Sequence, residues 1–165
     1  MSSSSYMPGP PHTLPDNPPT SIQVERARAS VTRLSSQPAI LALAGRVLFS
    51  LIFIVASFGD FTQKNINYAA EAGVPYASVL VPLAGVISLI GGLCILLGFY
   101  TRVGAWLIVI FLIPVTVFMH NFWATADAAA RADQLAHFLK NVSMLGAALF
   151  IAYFGAGPMS IDRRR

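Results

Sequence analysis

The sequence predicts an all-α integral membrane protein: a bundle of four transmembrane helices, both termini cytoplasmic, with a disordered N-terminal tail. Three observations carry that prediction. Of 165 residues, 55% are hydrophobic and only 11% are charged, whereas a soluble domain carries about 25% charged residues. The apolar residues are gathered into four runs, each near the ~20 residues that cross a bilayer as a helix. The Lys and Arg residues sit at the ends of those runs, mostly on one side. These features exclude a soluble enzyme, a disordered chain and a disulfide scaffold. A formal charge of +4 points to no nucleic acid partner, because the basic residues form no patch with interleaved aromatics.

Residues 1–37 are rich in Ser and Pro and cannot bury enough apolar surface to offset their ordering entropy, so a disordered cytoplasmic tail is expected. Within it, residues 21–36 carry Arg26, Arg28 and Arg33 and have the alternative of a short interfacial helix. The membrane domain is expected over 38–158. Its first span, 39–58, follows Pro38, a favourable first helical residue, and is interrupted by Arg46. The second, 77–99, has no charge and holds Gly85, Gly91, Gly92 and Gly98. The third, 103–122, contains Pro114, and its apolar stretch to Met119 alone would cover only about 25 Å. The fourth, 138–156, stops at Gly157-Pro158, and 159–165 form a basic cytoplasmic tail.

The second and third spans are joined by a tight turn around Tyr100-Thr101-Arg102, while the other two links are about 18 residues each. Arg26, Arg28, Arg33, Arg102 and Arg163 to Arg165 flank one side; Lys64, Arg131 and Lys140 flank the other. The positive-inside rule therefore assigns both termini and the short turn to the cytoplasm.

Ionisable residues in lipid are costly, so each is a site hypothesis. Two readings of Arg46 stand: its side chain snorkels to the headgroups, or it faces the bundle interior. The second rests on spacing, since Arg46, Ser50, Phe53, Ser57, Asp60 and Lys64 recur at three- and four-residue intervals. On the second span Ser78, Gly85, Ser88 and Gly92 form a stripe of small residues suited to close helix packing. At the outer end His120, Trp123, Lys140, Asn141 and Asp60, from three helices, lie at similar depth. They are either interfacial anchors or a ligand site. Donors of the His, Lys and Asn type beside apolar walls suit a quinone's carbonyl oxygens. His12 is expected to be solvated. With one cysteine, Cys94, and no tightly spaced ligand pair, no metal, haem or iron–sulfur cluster is expected, and no residue is assigned a catalytic role.

The segments GRVLFSLIFIVASFGDFTQ, GVPYASVLVPLAGVISLIGGLCILLGFYTRVGA, HNFW and HFLKNVSMLGAALFIAYFGAGPMSID, in this order over about 39–162, resemble the DoxX family of small bacterial four-helix membrane proteins. The resemblance implies a multi-pass protein of the bacterial inner membrane, with Arg46, His120, Trp123, Lys140, Asn141 and Asp162 at family positions. It also implies a quinone-interacting or membrane redox-complex subunit, similar to those of thiosulfate:quinone oxidoreductases or of an oxidative-stress complex. An enzymatic form would be an oxidoreductase acting with a quinone and a soluble or membrane redox partner. Relatives often carry a glutamate just before the Gly91-Gly92 pair, where this chain has Ser88, which cannot neutralise a buried arginine. The alternatives are a non-catalytic scaffold docking a soluble partner through the basic tails, and a small-solute transporter. A transporter would need oligomerisation to form a pore, and a homo-oligomer is compatible with the sequence.

Overall fold

The computed structural model of the chain describes residues 20–162, without the side chains of residues 27 and 29–38. The proline-rich start with His12, and Arg163 to Arg165, lie outside the described residues, as does the Arg33 side chain. The elements are α1 (Ser21–Ser57), a 3₁₀ turn (Gly59–Phe61), α2 (Gln63–Glu71), α3 (Ala77–Leu97), α4 (Thr101–Met119), a second 3₁₀ turn (Phe122–Ala124) and α5 (Ala128–Phe154). Among the described residues no strand occurs, and four helices are long and apolar enough to cross a membrane, at Ala39–Phe61, Ala77–Leu97, Thr101–Ala124 and Ala128–Phe154.

The chain divides into two units, 1–36 and 37–165. In the first, helix starts at Ser21 and continues without a break into the first span as part of α1. The cause is local. Thr20 N donates to Gln23 Oε1 (3.0 Å) and Gln23 N donates to Thr20 Oγ1 (3.4 Å), a reciprocal capping box.

In the second unit the core is built from Phe53 of α1, Ile95 of α3, Ala105, Ile108, Val109 and Leu112 of α4, and Ala148 of α5. The interior stripe expected on the first span is present as far as α1 runs: Arg46, Ser50, Phe53 and Ser57 are all buried, whereas Asp60 and Lys64 fall beyond the end of α1 and Lys64 is exposed. The two serine hydroxyls need no partner helix, because Ser50 Oγ donates to Arg46 O (2.6 Å) and Ser57 Oγ to Ile54 O (2.7 Å). On α3, Gly85, Ser88 and Gly92 are buried as expected, but Ser78 is exposed and Ala77 takes the inward place in the first turn. Gly92 packs against α1, where an added Cβ would lie 2.9 Å from Ile54 Cγ1.

The α3–α4 contact is closer still. A Cβ on either Gly91 or Gly104 would stand 2.9 Å from the other's carbonyl oxygen. Two facing glycines thus bring the backbones together, which in lipid replaces the hydrophobic drive with dispersion contact. Gly91→Leu is expected to destabilise the detergent-solubilised protein by about 1–3 kcal/mol, read as a lower midpoint of thermal unfolding. Gly45→Leu, at a position with nothing within 4 Å of an added Cβ, should leave the midpoint unchanged.

Boundaries shift from the sequence expectation. The α3–α4 turn is Gly98 to Tyr100, with Gly98 (φ 64°) and Tyr100 (φ 48°) left-handed, so α4 starts at Thr101 instead of 103. The first long link is not irregular: Thr62 caps α2, its hydroxyl accepting from Asn65 N at 3.4 Å. The fourth helix starts ten residues early, at Ala128, because Asp127 Oδ2 accepts from Ala130 N (2.8 Å) and the Ala-rich turns that follow favour helix. The link from α4 to α5 therefore shrinks to His120 to Asp127.

Candidate functional site

Polar groups in this unit concentrate at two ends. The proximal end holds the α3–α4 turn, the start of the α1 span and the C-terminal segment; the distal end holds the α1–α3 and α4–α5 connections.

At the proximal end Arg46 is 4% exposed. Its side chain runs toward the end of the bundle, as snorkelling would have it, but a protein segment receives it in place of headgroups. Arg46 Nη2 donates to Met159 O at 2.6 Å, while Nε and Nη1 have no hydrogen-bonding partner among the described residues. Asp162 acts on the guanidinium electrostatically. The same carboxylate closes the start of α4: Oδ1 accepts from Tyr100 N (2.8 Å), and Oδ2 accepts from Thr101 N (2.9 Å) and Thr101 Oγ1 (2.7 Å). Asp162 N donates back to Gly98 O (2.8 Å). An acid from the end of the chain thus does for α4 what a local cap residue does elsewhere, and it meets the positive end of the helix. Ser88, which stands where a carboxylate partner for Arg46 was expected to be missing, turns away and donates to Gly85 O (3.1 Å).

At the distal end a cavity of about 480 Å³ lies among α2, α3 and α4 and the turn that follows α1. Its walls are Leu80, Leu83, Ile87, Phe111, Pro114 and Phe118, and its ionisable lining includes Asp60 and His120. Gly85 makes room for the acid, since a Cβ there would lie 2.8 Å from Asp60 Cβ. No hydrogen bond or ion pair holds the Asp60 carboxylate among the described residues. His120 ends α4, with Nδ1 3.0 Å from Gln134 Oε1 and its ring stacked on His137 (centroids 5.2 Å, planes 15° apart).

The five residues expected to converge here separate into two groups. Asp60 and His120 line the cavity; Trp123, Lys140 and Asn141 do not. α4 packs against α3 on one flank and α5 on the other, so α5 presents its polar residues to the far side of α4. Lys140 Nζ donates to His137 Nδ1 at 2.9 Å, and His137 Nε2 lies 3.7 Å from Asp133 Oδ1. Trp123 is half exposed and stands edge-on to Phe122 (5.2 Å) and Phe138 (6.0 Å), the arrangement of an interfacial anchor. Asn141 is 4% exposed and has no hydrogen-bonding partner among the described residues. Sequence reasoning missed Gln134 and the α2 residues Asn65 and Tyr68, which reach the cavity from a segment that reads as a loop. Their three-residue spacing after Thr62 was the available signal. Among the described residues no cluster of metal-ligating side chains occurs.

Four apolar spans, closed at one end by a carboxylate cap and open at the other to a cavity with an acid and an imidazole, define a small multi-pass membrane protein. The chain belongs to the DoxX family. The DoxX family model matches residues 41–121. The inner membrane protein YphA of Escherichia coli (strain K12) is 34% identical over 128 residues, covering 76% of this chain and 90% of the relative. The inner membrane protein YqjF of the same organism is 34% identical over 123 residues, 73% and 88% of the two chains. The uncharacterized membrane protein Rv3486 of Mycobacterium tuberculosis is 28% identical over 143 residues, 77% and 81% of the two chains. No solved structure matches.

Proposed function

We propose that this DoxX-family protein resides in a bacterial inner membrane and binds a quinone-type ring in the distal cavity, as the membrane subunit of a redox complex. The observation that carries the reading is the cavity itself. It is large enough for a substituted ring, walled by aliphatic and aromatic side chains, and supplied with two convergent polar groups, Asp60 and His120. Leu83, Ile110 and Phe118 line it and are also exposed on the lipid-facing surface, so an apolar tail can run out between them. By the positive-inside rule the proximal end, with Arg102, faces the cytoplasm and the cavity the outer leaflet. The redox partner and any homo-oligomeric assembly belong to the same proposal. The scaffold alternative relies on the basic tails, whose Arg163 to Arg165 lie outside the described residues.

The reading is tested by equilibrium binding of a short-tailed benzoquinone/benzoquinol couple to purified protein in lipid nanodiscs. Asp60→Ala and His120→Ala are each expected to weaken binding of the bound form about tenfold or more, the loss of one buried hydrogen bond to a polar group. Lys140→Ala should leave it within about twofold. Loss on Lys140→Ala with no effect of the other two would move the site to the α5 side of the bundle.

A further inference from the structure

We propose that the proximal end holds a second site, which takes the phosphate headgroup of an anionic phospholipid from the adjoining leaflet. Its setting is a cavity of about 530 Å³ between the start of α4 and the segment that follows α5, with Arg102, Val103, Gly155, Gly157, Ser160 and Asp162 in its lining. The space exists because the chain leaving α5 is nearly bare: Gly155 (φ 80°) and Gly157 (φ 70°) turn it at positive φ and carry no side chain to fill the gap. Gly155 also lets the Arg102 side chain lie across the end of α5, with Nε 3.6 Å from where a Cβ would stand.

Three observations give the cavity its preference for negative charge. Arg102 is exposed, and among the described residues nothing accepts a hydrogen bond from its guanidinium or pairs with its charge. Arg46 stands behind Ser160, since a Cβ on Gly98 would run into both Arg46 Nη1 and Ser160 Cβ. That guanidinium is 4% exposed, and its Nε and Nη1 have no acceptor among the described residues. In the first turn of α4, the N–H groups of Arg102 and Val103 have no carbonyl to bond, because Asp162 takes only those of Tyr100 and Thr101.

Asp162 is the one carboxylate in the lining, and both its oxygens are committed to α4. The ammonium of a zwitterionic headgroup therefore finds no uncommitted acid. A phosphodiester with a net negative charge meets one guanidinium, two backbone donors and the field of a second guanidinium. The phosphate arrives on a lipid because the cavity opens where the bundle meets the bilayer. The span of α4 begins at Thr101 and that of α5 ends at Phe154. Just inside those ends Val103 and Trp106 on α4, with Phe150 and Tyr153 on α5, are exposed and offer apolar surface to acyl chains. The positive-inside rule makes this the cytoplasmic leaflet, whose anionic lipids are drawn to juxtamembrane arginines.

The test uses the full chain in mild detergent, titrated with phosphatidylglycerol or with phosphatidylcholine of the same chains, and native mass spectrometry to count bound lipid. One phosphatidylglycerol is expected to bind about tenfold more tightly than phosphatidylcholine. Arg102→Gln should reduce that preference about fivefold, Arg102→Lys should keep most of it, and Arg131→Gln, at the distal end, should leave it within about twofold. The rise in unfolding midpoint that phosphatidylglycerol gives the wild type should be absent from Arg102→Gln, whose midpoint without lipid should match the wild type. Equal binding of the two lipids, or a preference that survives Arg102→Gln, overturns the site. Millimolar inorganic phosphate is expected to leave the bound lipid in place; full displacement would make the occupant a soluble phosphate and overturn the lipid.

Discussion

Gly98→Val is expected to be the most damaging single substitution in the membrane domain. Gly98 ends α3 at φ 64°, a conformation that a β-branched residue rarely adopts. An added Cβ would also run into Arg46 Nη1 and would meet Ser160 Cβ at 2.5 Å and Ser160 Cα at 3.0 Å. One of those neighbours is backbone and another is a buried guanidinium, so neither yields without unseating the C-terminal segment. A loss of more than about 3 kcal/mol is expected, measured as failure to accumulate in the membrane or as a sharply lowered unfolding midpoint in detergent. Gly146→Ala supplies the control. It is helical with nothing within 4 Å of an added Cβ, so it should be neutral or slightly stabilising. A Gly98→Val protein that unfolds with the wild-type midpoint would show that the C-terminal segment is not seated on the α3–α4 turn.

Asp162→Ala is the second. It removes three hydrogen bonds at the start of α4 and the carboxylate that acts on Arg46. Loss of a helix cap costs about 1–2 kcal/mol, and charge-assisted bonds add to it, so a fall of roughly 2–4 kcal/mol is expected. Asp162→Asn keeps an acceptor oxygen and should fall between. The two halves of the effect separate in a double-mutant cycle with Arg46→Met, which fills similar volume without charge. If the acid compensates the buried cation, Arg46→Met rescues part of the Asp162→Ala loss, a coupling of about 1–2 kcal/mol. Strict additivity would assign Asp162 to capping alone.

The number of spans and the interior face of α1 were legible because lipid makes both conspicuous. A run of ~20 apolar residues fits a bilayer crossing and little else, and a polar stripe at three- and four-residue spacing has to face the other helices. The ends of the helices were less legible, since hydropathy marks where a helix enters lipid and not where its hydrogen bonding stops. α5 shows the difference: nine of its first ten residues are polar or small, yet Asp127 starts the helix at Ala128. The site was half legible for a related reason. Sequence places His120, Lys140 and Asp60 at one depth, and each on a face of its own helix. It does not say which helices are neighbours. With α4 between α3 and α5, equal depth left Lys140 on one side and Asp60 on the other. The work of Asp162 was out of reach altogether, because capping across 61 residues leaves no local pattern.

The length of α5 has a consequence for how a ligand would be found. At 27 residues it measures about 40 Å, roughly 10 Å more than the hydrocarbon it crosses. Its last turn abuts the proximal end, where Gly155 lies beside Arg102, so the surplus projects at the distal end. Gln134 and His137 stand where the surplus begins, and His120 leans on both. The cavity's polar corner therefore sits at the level of the lipid carbonyls. A tailed ring of the proposed kind, dissolved in that leaflet, would float with its head at this height and would reach the protein by sideways diffusion. The concentration governing occupancy by such a ring would then be the number of molecules per area of membrane, and aqueous solubility would drop out of the problem.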